Sequence, residues 1–163
     1  MAIPFNADEV FEMAEAIERN GAKFYRGAAS RFPAVADVFG KLAAMEDEHE
    51  RTFAKMRAQL KGQEAEPLVF DPDGEAQMYL RVMADGHVFD MNSDPAEKLG
   101  SLQTAEDAIR AGLAAERDSI AFYTGLKECV SQRAGQDKVT AIIREEFRHI
   151  VTLNQMLTEL KQG

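Results

Sequence analysis

The sequence predicts an all-α protein, a four-helix bundle made of two helix hairpins that are joined by a long crossover containing short helices. Ala, Glu, Leu, Met, Lys and Arg are frequent, and all of them favour helices. Apolar residues recur three or four positions apart along four long stretches. No long alternation of Val, Ile or Thr indicates a strand. The 163 residues suit one domain with a sizeable core, which we take as 1–163.

The four long helices are expected at about 7–30, 33–61, 102–131 and 137–161. Asn6 is followed three residues later by Glu9, the pattern of a capping box at the start of the first helix. Pro33 suits the first turn of the second helix. Gly135 marks the break before the fourth.

The crossover, about 62–101, is rich in Pro and Gly and is too long for a tight helix hairpin, so we expect it to cross the bundle. A short helix is predicted from Glu75 to Asp85. Another is predicted to start at Asp94-Pro95.

Charge and composition exclude several classes of partner. A net charge of −9 disfavours nucleic acids and anionic membranes, whose phosphates call for Lys and Arg. No stretch approaches the ~20 apolar residues of a membrane span, and the N-terminus lacks the features of a signal peptide, so we expect a cytoplasmic protein. Cys129 is the single cysteine, which leaves no internal disulfide, and we expect it to be a small buried hydrophobe.

The two predicted hairpins repeat one pattern of residues. The first contains Glu18, Phe24-Tyr25 and Glu46-Asp47-Glu48-His49, and the second contains Glu116, Phe122-Tyr123 and Glu146-Phe147-Arg148-His149. In each hairpin Phe-Tyr starts six residues after the first Glu. The spacing between the two Glu residues is also similar, from 18 to 46 and from 116 to 146. This indicates a duplicated helix pair.

The repeat has the spacing of a metal site. Glu46 and His49 lie one helical turn apart on one face, so both side chains can reach one ion, and the second hairpin repeats that geometry. Apolar neighbours place these residues on the buried stripe, where carboxylates need a cation or a proton. Four carboxylates would balance two divalent ions with both imidazoles neutral. The predicted ligands are Glu18, Glu46, His49, Glu116, Glu146 and His149. The carboxylate-rich set favours iron or manganese, with zinc as an alternative.

These residues resemble the rubrerythrin branch of the ferritin-like di-iron proteins, over residues of about 7–60 and 102–160. In that class of site, two helices each give one Glu and two others each give Glu-x-x-His. The resemblance implies that the six residues bind two irons, with Glu46 and Glu146 as the bridging carboxylates. It further implies an oxidoreductase that reduces peroxide or O2, a role in oxidative stress, and a homodimer.

The chain departs from that family in two ways. Rubrerythrins proper carry a four-Cys rubredoxin-type domain that passes electrons to the iron site, whereas this chain has one Cys, so the electron donor would be external. Rubrerythrins also have a further carboxylate on the third long helix. Here Ser119 lies three residues after Glu116, and Ala115 precedes it. The chain therefore resembles the short stand-alone relatives.

Other functions and roles stay open at this level. The same ligands suit an iron-binding or ferroxidase protein, or a metal-stabilised interaction module in which residues 63–100 matter most. Tyr25 and Tyr123 are candidates to bind a ligand or carry an electron, although core residues with a polar tip are the simpler interpretation. We expect surface positions for the remaining polar residues near these motifs, which are Glu15, Glu48, His87 and Glu145.

Overall fold

The computed structural model describes residues 5–62, 71–84 and 94–163. It confirms the predicted all-α bundle, since these residues form four long helices and two short ones. The helices are α1 (Ala7–Arg31), α2 (Ala36–Ala58), α3 (Glu75–Ala84), α4 (Pro95–Ser101), α5 (Ala105–Cys129) and α6 (Gln136–Gln162). A 3-10 turn, Pro33–Val35, precedes α2. Pro33 therefore begins this turn, and the α-helix itself starts three residues later than the sequence predicts.

Local sequence signals explain where the helices begin. The Asn6 side chain accepts the Glu9 N–H at 2.8 Å, and the Glu9 carboxylate accepts the Asn6 N–H at 2.9 Å, which completes the predicted capping box. Thr104 and Asp107 form a second capping box at the start of α5. Gly135, just before α6, has φ of 111°, a left-handed conformation that glycine adopts without a steric penalty from Cβ.

The long helices pack as two hairpins, α1 with α2 and α5 with α6. The two short helices belong to the crossover, and each covers a different hairpin. Helix α3 packs against α5, and α4 packs against α1. The Asp94 side chain caps α4, as the Asp94-Pro95 pair predicts.

The core has two apolar layers with a polar layer between them. One apolar layer contains Phe11 and Phe53, and the other contains Phe24 and Phe39. Each long helix contributes to both apolar layers, and its Glu or Glu-x-x-His residues fall between the two contributions. The middle layer is therefore shielded from water at both ends by packed side chains.

The described residues settle two further expectations. Cys129 is buried, with 3% of its surface exposed, and burial together with the carboxylates of Asp71 and Glu128 raises the pKa of its thiol to about 11. No helix in residues 5–62, 71–84 and 94–163 is long and apolar enough to cross a membrane. His87 lies outside the described residues.

We expect the Cys129 thiol of the native protein to react slowly with thiol reagents at pH 8. A thiol with a pKa of about 11 is roughly one part in a thousand thiolate at that pH, and its burial also limits access. Labelling with a chromogenic disulfide reagent should be slow before denaturation and stoichiometric after it. Rapid labelling of the folded protein would contradict this assignment.

Gly125 is a point of close approach between α5 and α3. A Cβ atom built there would lie 2.5 Å from Cδ1 of the Tyr79 ring and 3.1 Å from Cδ2 of Leu80. Tyr79 also donates its hydroxyl hydrogen to the Ala121 carbonyl at 2.8 Å, which fixes the ring over α5. Gly40, in contrast, is exposed within α2, and a Cβ there meets no atom of the described residues within 4 Å.

Gly125→Ala should therefore lower the free energy of unfolding by about 1–3 kcal/mol, because the Tyr79 ring and α3 must move. Gly40→Ala is the matched control and should raise it by about 0.5–1 kcal/mol, since alanine favours a helix. Urea unfolding followed by circular dichroism measures both. Equal stabilisation by the two substitutions would show that α3 does not pack as described.

Candidate metal centre

The structure brings all six predicted ligands together in the polar layer. Each of the four long helices supplies at least one of them, and every one is at most 4% exposed. Helix α1 supplies Glu18, α2 supplies Glu46 and His49, α5 supplies Glu116, and α6 supplies Glu146 and His149.

The six residues form two overlapping groups of possible metal ligands. One group is Glu18, Glu46, His49 and Glu146, and the other is Glu46, Glu116, Glu146 and His149. Within each group, one donor atom per residue lies within 4.8 Å of the others. Glu46 and Glu146 belong to both groups, which is the arrangement that two carboxylates bridging a pair of ions require.

Both imidazoles direct Nδ1 towards the carboxylates. Nδ1 of His49 lies 2.9 Å from Glu146 and 3.2 Å from Glu46, and Nδ1 of His149 lies 2.9 Å from Glu146 and 3.5 Å from Glu46. Glu18 and Glu116 complete the two groups, each 3.4 Å from the Nδ1 of one histidine. The two rings are stacked, with centroids 5.7 Å apart and planes at 21°.

Several buried oxygen and nitrogen atoms that could bind a metal lack a hydrogen-bond partner among the described residues. These are both carboxylate oxygens of Glu146 and both ring nitrogens of His149. The Glu146 oxygens are 2.9 Å from the two Nδ1 atoms, but those contacts do not have hydrogen-bond alignment. Buried polar groups normally find partners. The unpaired Glu146 oxygens and Nδ1 of His149 face the same small region, which is typical of a cation site, whereas Nε2 of His149 lies on the outer side of the ring. The donor set therefore fits a pair of metal ions.

The electrostatics of the protein alone show the same need for positive charge. Burial and the neighbouring carboxylates raise the pKa of Glu46, and burial together with Glu146 raises the pKa of Glu116 to about 8. Burial lowers the pKa of His149, but contacts with Glu116, Glu146 and Glu46 outweigh it and raise the pKa to about 12. Protons thus offset part of the carboxylate charge where bound cations would otherwise do so.

Two tyrosines connect the hairpins at this layer. The Tyr25 hydroxyl of α1 donates to Glu116 of α5, and the Tyr123 hydroxyl of α5 donates to Glu18 of α1. Burial and nearby carboxylates raise both phenol pKa values well above 10, so both hydroxyls stay protonated donors. Tyr25 and Tyr123 are thus core residues whose polar tips each bind a predicted ligand, and their role in catalysis stays a prediction.

The expectation that Glu145 is a solvated surface charge is wrong. Its carboxylate lies 2.8 Å from Nε2 of His49, and its side chain is 38% exposed. Position 145 is on a different face of α6 from Glu146, so the periodicity of α6 placed it away from the site. His49 lies on the neighbouring helix α2, and the periodicity of one helix does not predict contacts with another.

The other flanking acids behave differently from one another. Glu48 is exposed, with 70% of its side chain accessible, as expected. Glu15 is only 13% exposed and lies 3.7 Å from Arg57 and 3.9 Å from Arg19, so it is an ion-paired residue at the edge of the bundle. Ser119 is buried beside Glu116 on α5, and neither of the two groups of ligands gains a carboxylate there.

A four-helix bundle whose core holds two overlapping carboxylate–histidine groups defines a protein of the ferritin-like class. The Rubrerythrin family model matches residues 9–157, and the chain belongs to the Rubrerythrin family. Among curated proteins, none gives a significant match.

A solved structure shows the same fold. It is the crystal structure of a Thermotoga maritima protein whose inferred class is ferritin-like diiron-carboxylate, at 23% sequence identity and a TM-score of 0.75. The similarity covers 98% of this chain and 99% of that chain. At this level of identity the match establishes the fold.

Replacing each tyrosine by phenylalanine tests the crossed hydrogen bonds. Tyr25→Phe and Tyr123→Phe should each lower the free energy of unfolding of the metal-free protein by about 1–3 kcal/mol, because a buried carboxylate loses its donor. Tyr79→Phe is the control, since its hydroxyl bonds a carbonyl at the surface, and it should cost less than about 1 kcal/mol. Equal effects of all three substitutions in urea unfolding would contradict the buried bonds.

Proposed function

We propose that this protein is a di-iron protein that reduces hydrogen peroxide or O2 with electrons from an external donor. The observation that carries the proposal is the pair of buried ligand groups that share Glu46 and Glu146, with the Glu146 oxygens unpaired by any described residue. Membership of the Rubrerythrin family and the fold of a ferritin-like diiron-carboxylate protein support it.

The chemistry of the donor atoms favours iron or manganese over zinc. All six ligands offer carboxylate oxygen or imidazole nitrogen, and the single thiol of the chain is not among them. Four carboxylates balance two divalent ions when the imidazoles are neutral. Six protein side chains also leave coordination positions open for a small substrate. Iron is the metal we propose, and metal analysis of protein purified without chelators decides it against manganese and zinc.

The six residues would hold two ferrous ions, which would supply the two electrons needed to convert hydrogen peroxide and two protons into two water molecules. The protein's own part is to hold the ligands and exclude bulk water. The two apolar layers close the site at both ends. Tyr25 and Tyr123 hold protons at their hydroxyl oxygens, bonded to Glu116 and Glu18, and so keep those carboxylates oriented.

The sharing of ligands predicts how metal content responds to substitution. Glu46→Ala removes a ligand from both groups and should abolish binding of both ions, whereas Glu18→Ala touches one group and should leave about one ion per chain. Anaerobic loading with ferrous iron, desalting and metal analysis give the stoichiometry. Glu48→Ala is the matched control next to the site and should retain two ions.

Reaction with peroxide separates the proposed activity from its two alternatives. The reduced, iron-loaded protein mixed with one equivalent of hydrogen peroxide should develop ferric charge-transfer absorption rapidly, and should repeat the cycle when a reductant is supplied. Oxidation and retention of many ferrous ions per chain would instead favour an iron-handling ferroxidase. Metal that raises the melting temperature but does not react with either oxidant would indicate a structural role.

The external donor, the homodimer and the cytoplasmic location are part of the same proposal. The homodimer rests on the family resemblance, the external donor on the single cysteine, and the location on the lack of signal-peptide features and long apolar stretches. A net charge of −9 agrees with a protein that does not bind nucleic acid or anionic lipid. Reductase-coupled turnover with purified electron carriers identifies the donor class. Sedimentation of the metal-loaded protein gives the oligomeric state.

A further inference from the structure

The internal repeat keeps its proposed ligands but not the residues beside them, and one of these differences lies next to an imidazole. Glu46 and His49 of α2 correspond to Glu146 and His149 of α6, with the same spacing in both helices. The residue before the glutamate is Met45 in the first half and Glu145 in the second. Both are of intermediate burial. The two halves therefore supply the same ligands but different neighbours.

This difference reaches the outer nitrogen of only one imidazole. Nε2 of His49 lies 2.8 Å from the Glu145 carboxylate. Nε2 of His149 is buried and has no hydrogen-bond partner among the described residues. Both rings present Nδ1 to the ligand groups, so Nε2 is in each case the nitrogen left over for a supporting contact.

We propose that Glu145 is a positioning residue that makes the two metal positions unequal, so that the group containing His49 binds its ion more tightly. The inference rests on the proposed di-metal function. A histidine that binds metal through Nδ1 must carry its remaining proton on Nε2. Glu145 accepts that proton in a hydrogen bond, which fixes the tautomer and ring orientation of His49 and makes Nδ1 a stronger donor.

The same requirement works against the second group. Ligation through Nδ1 of His149 leaves an N–H at Nε2, buried and without an acceptor among the described residues. A buried donor without a partner carries a desolvation penalty, and this penalty opposes the tautomer that ligation needs. The two groups are otherwise matched, each with one own glutamate, one histidine and the two shared glutamates.

A purely structural ion pair is the competing explanation of the Glu145 contact. It joins α2 to α6, and the carboxylate is partly exposed, so such a pair would add little stability. A structural role would change the free energy of unfolding of the metal-free protein. It would not separate the affinities of the two metal positions.

Titration with cobalt(II) tests the proposal on the full-length metal-free protein, by calorimetry and by the visible absorption of bound cobalt. The wild type should bind two ions in two resolved steps. Glu145→Met, which copies the residue of the other half, should weaken the tighter step by about 10- to 100-fold and bring the steps together. Glu145→Gln keeps a hydrogen-bond acceptor without the charge. Its affinity in the tighter step should lie between those of the wild type and Glu145→Met, and the cobalt spectrum of that step should shift.

The reciprocal substitution provides the matched control. Met45→Glu places a carboxylate at the equivalent position of the repeat and should strengthen the weaker step while leaving the tighter one unchanged. Two equal steps in the wild type, or a Glu145→Met variant that weakens both steps alike, would overturn the inference while leaving the di-metal site intact. A wild type that binds no cobalt, iron or manganese would instead overturn the proposed function itself. Should Glu145→Met not fold, Glu145→Gln and Met45→Glu decide the question.

Discussion

The burial of four carboxylates at one level of the bundle is the constraint on which the rest of the structure depends. Isolated carboxylates are costly in an apolar interior, and Glu18, Glu46, Glu116 and Glu146 are each at most 4% exposed. Two imidazoles, two tyrosine hydroxyls and bound protons offset part of that cost in the protein alone. The remaining unpaired oxygens define the place where cations complete the core.

The fold meets this constraint by placing apolar and acidic side chains in separate layers of the core. Apolar side chains fill the two ends of the bundle, and the acids are restricted to the middle. Because each helix contributes to both apolar layers, the ligands are held from above and below by packed neighbours and not by loops. Rigid helices position side chains more accurately than loops do, which suits a site that must hold two ions at a fixed spacing.

Much of this arrangement could be predicted from the sequence alone, because it follows from helical periodicity over short stretches and from an internal repeat. The i, i+3 spacing of Glu46 and His49 and its copy in the second half identified side chains that meet in the core, and the capping signals at Asn6 and Asp94 identified two helix starts. The contacts of Glu145 and the crossing of the tyrosine bonds between hairpins were not predictable. They depend on how helices distant in sequence are rotated against each other, and periodicity within one helix does not determine that rotation.

The crossed tyrosine hydrogen bonds make assembly of the polar layer depend on the docking of the two hairpins. Each hairpin joins two helices that are close in sequence. Neither hairpin alone provides the hydrogen-bond donors for its buried glutamates, because Tyr25 and Tyr123 each donate to a glutamate of the opposite hairpin. The centre is thus a product of docking, assembled only when the two halves meet. Because each ligand group takes side chains from both hairpins, binding of an ion depends on that docking.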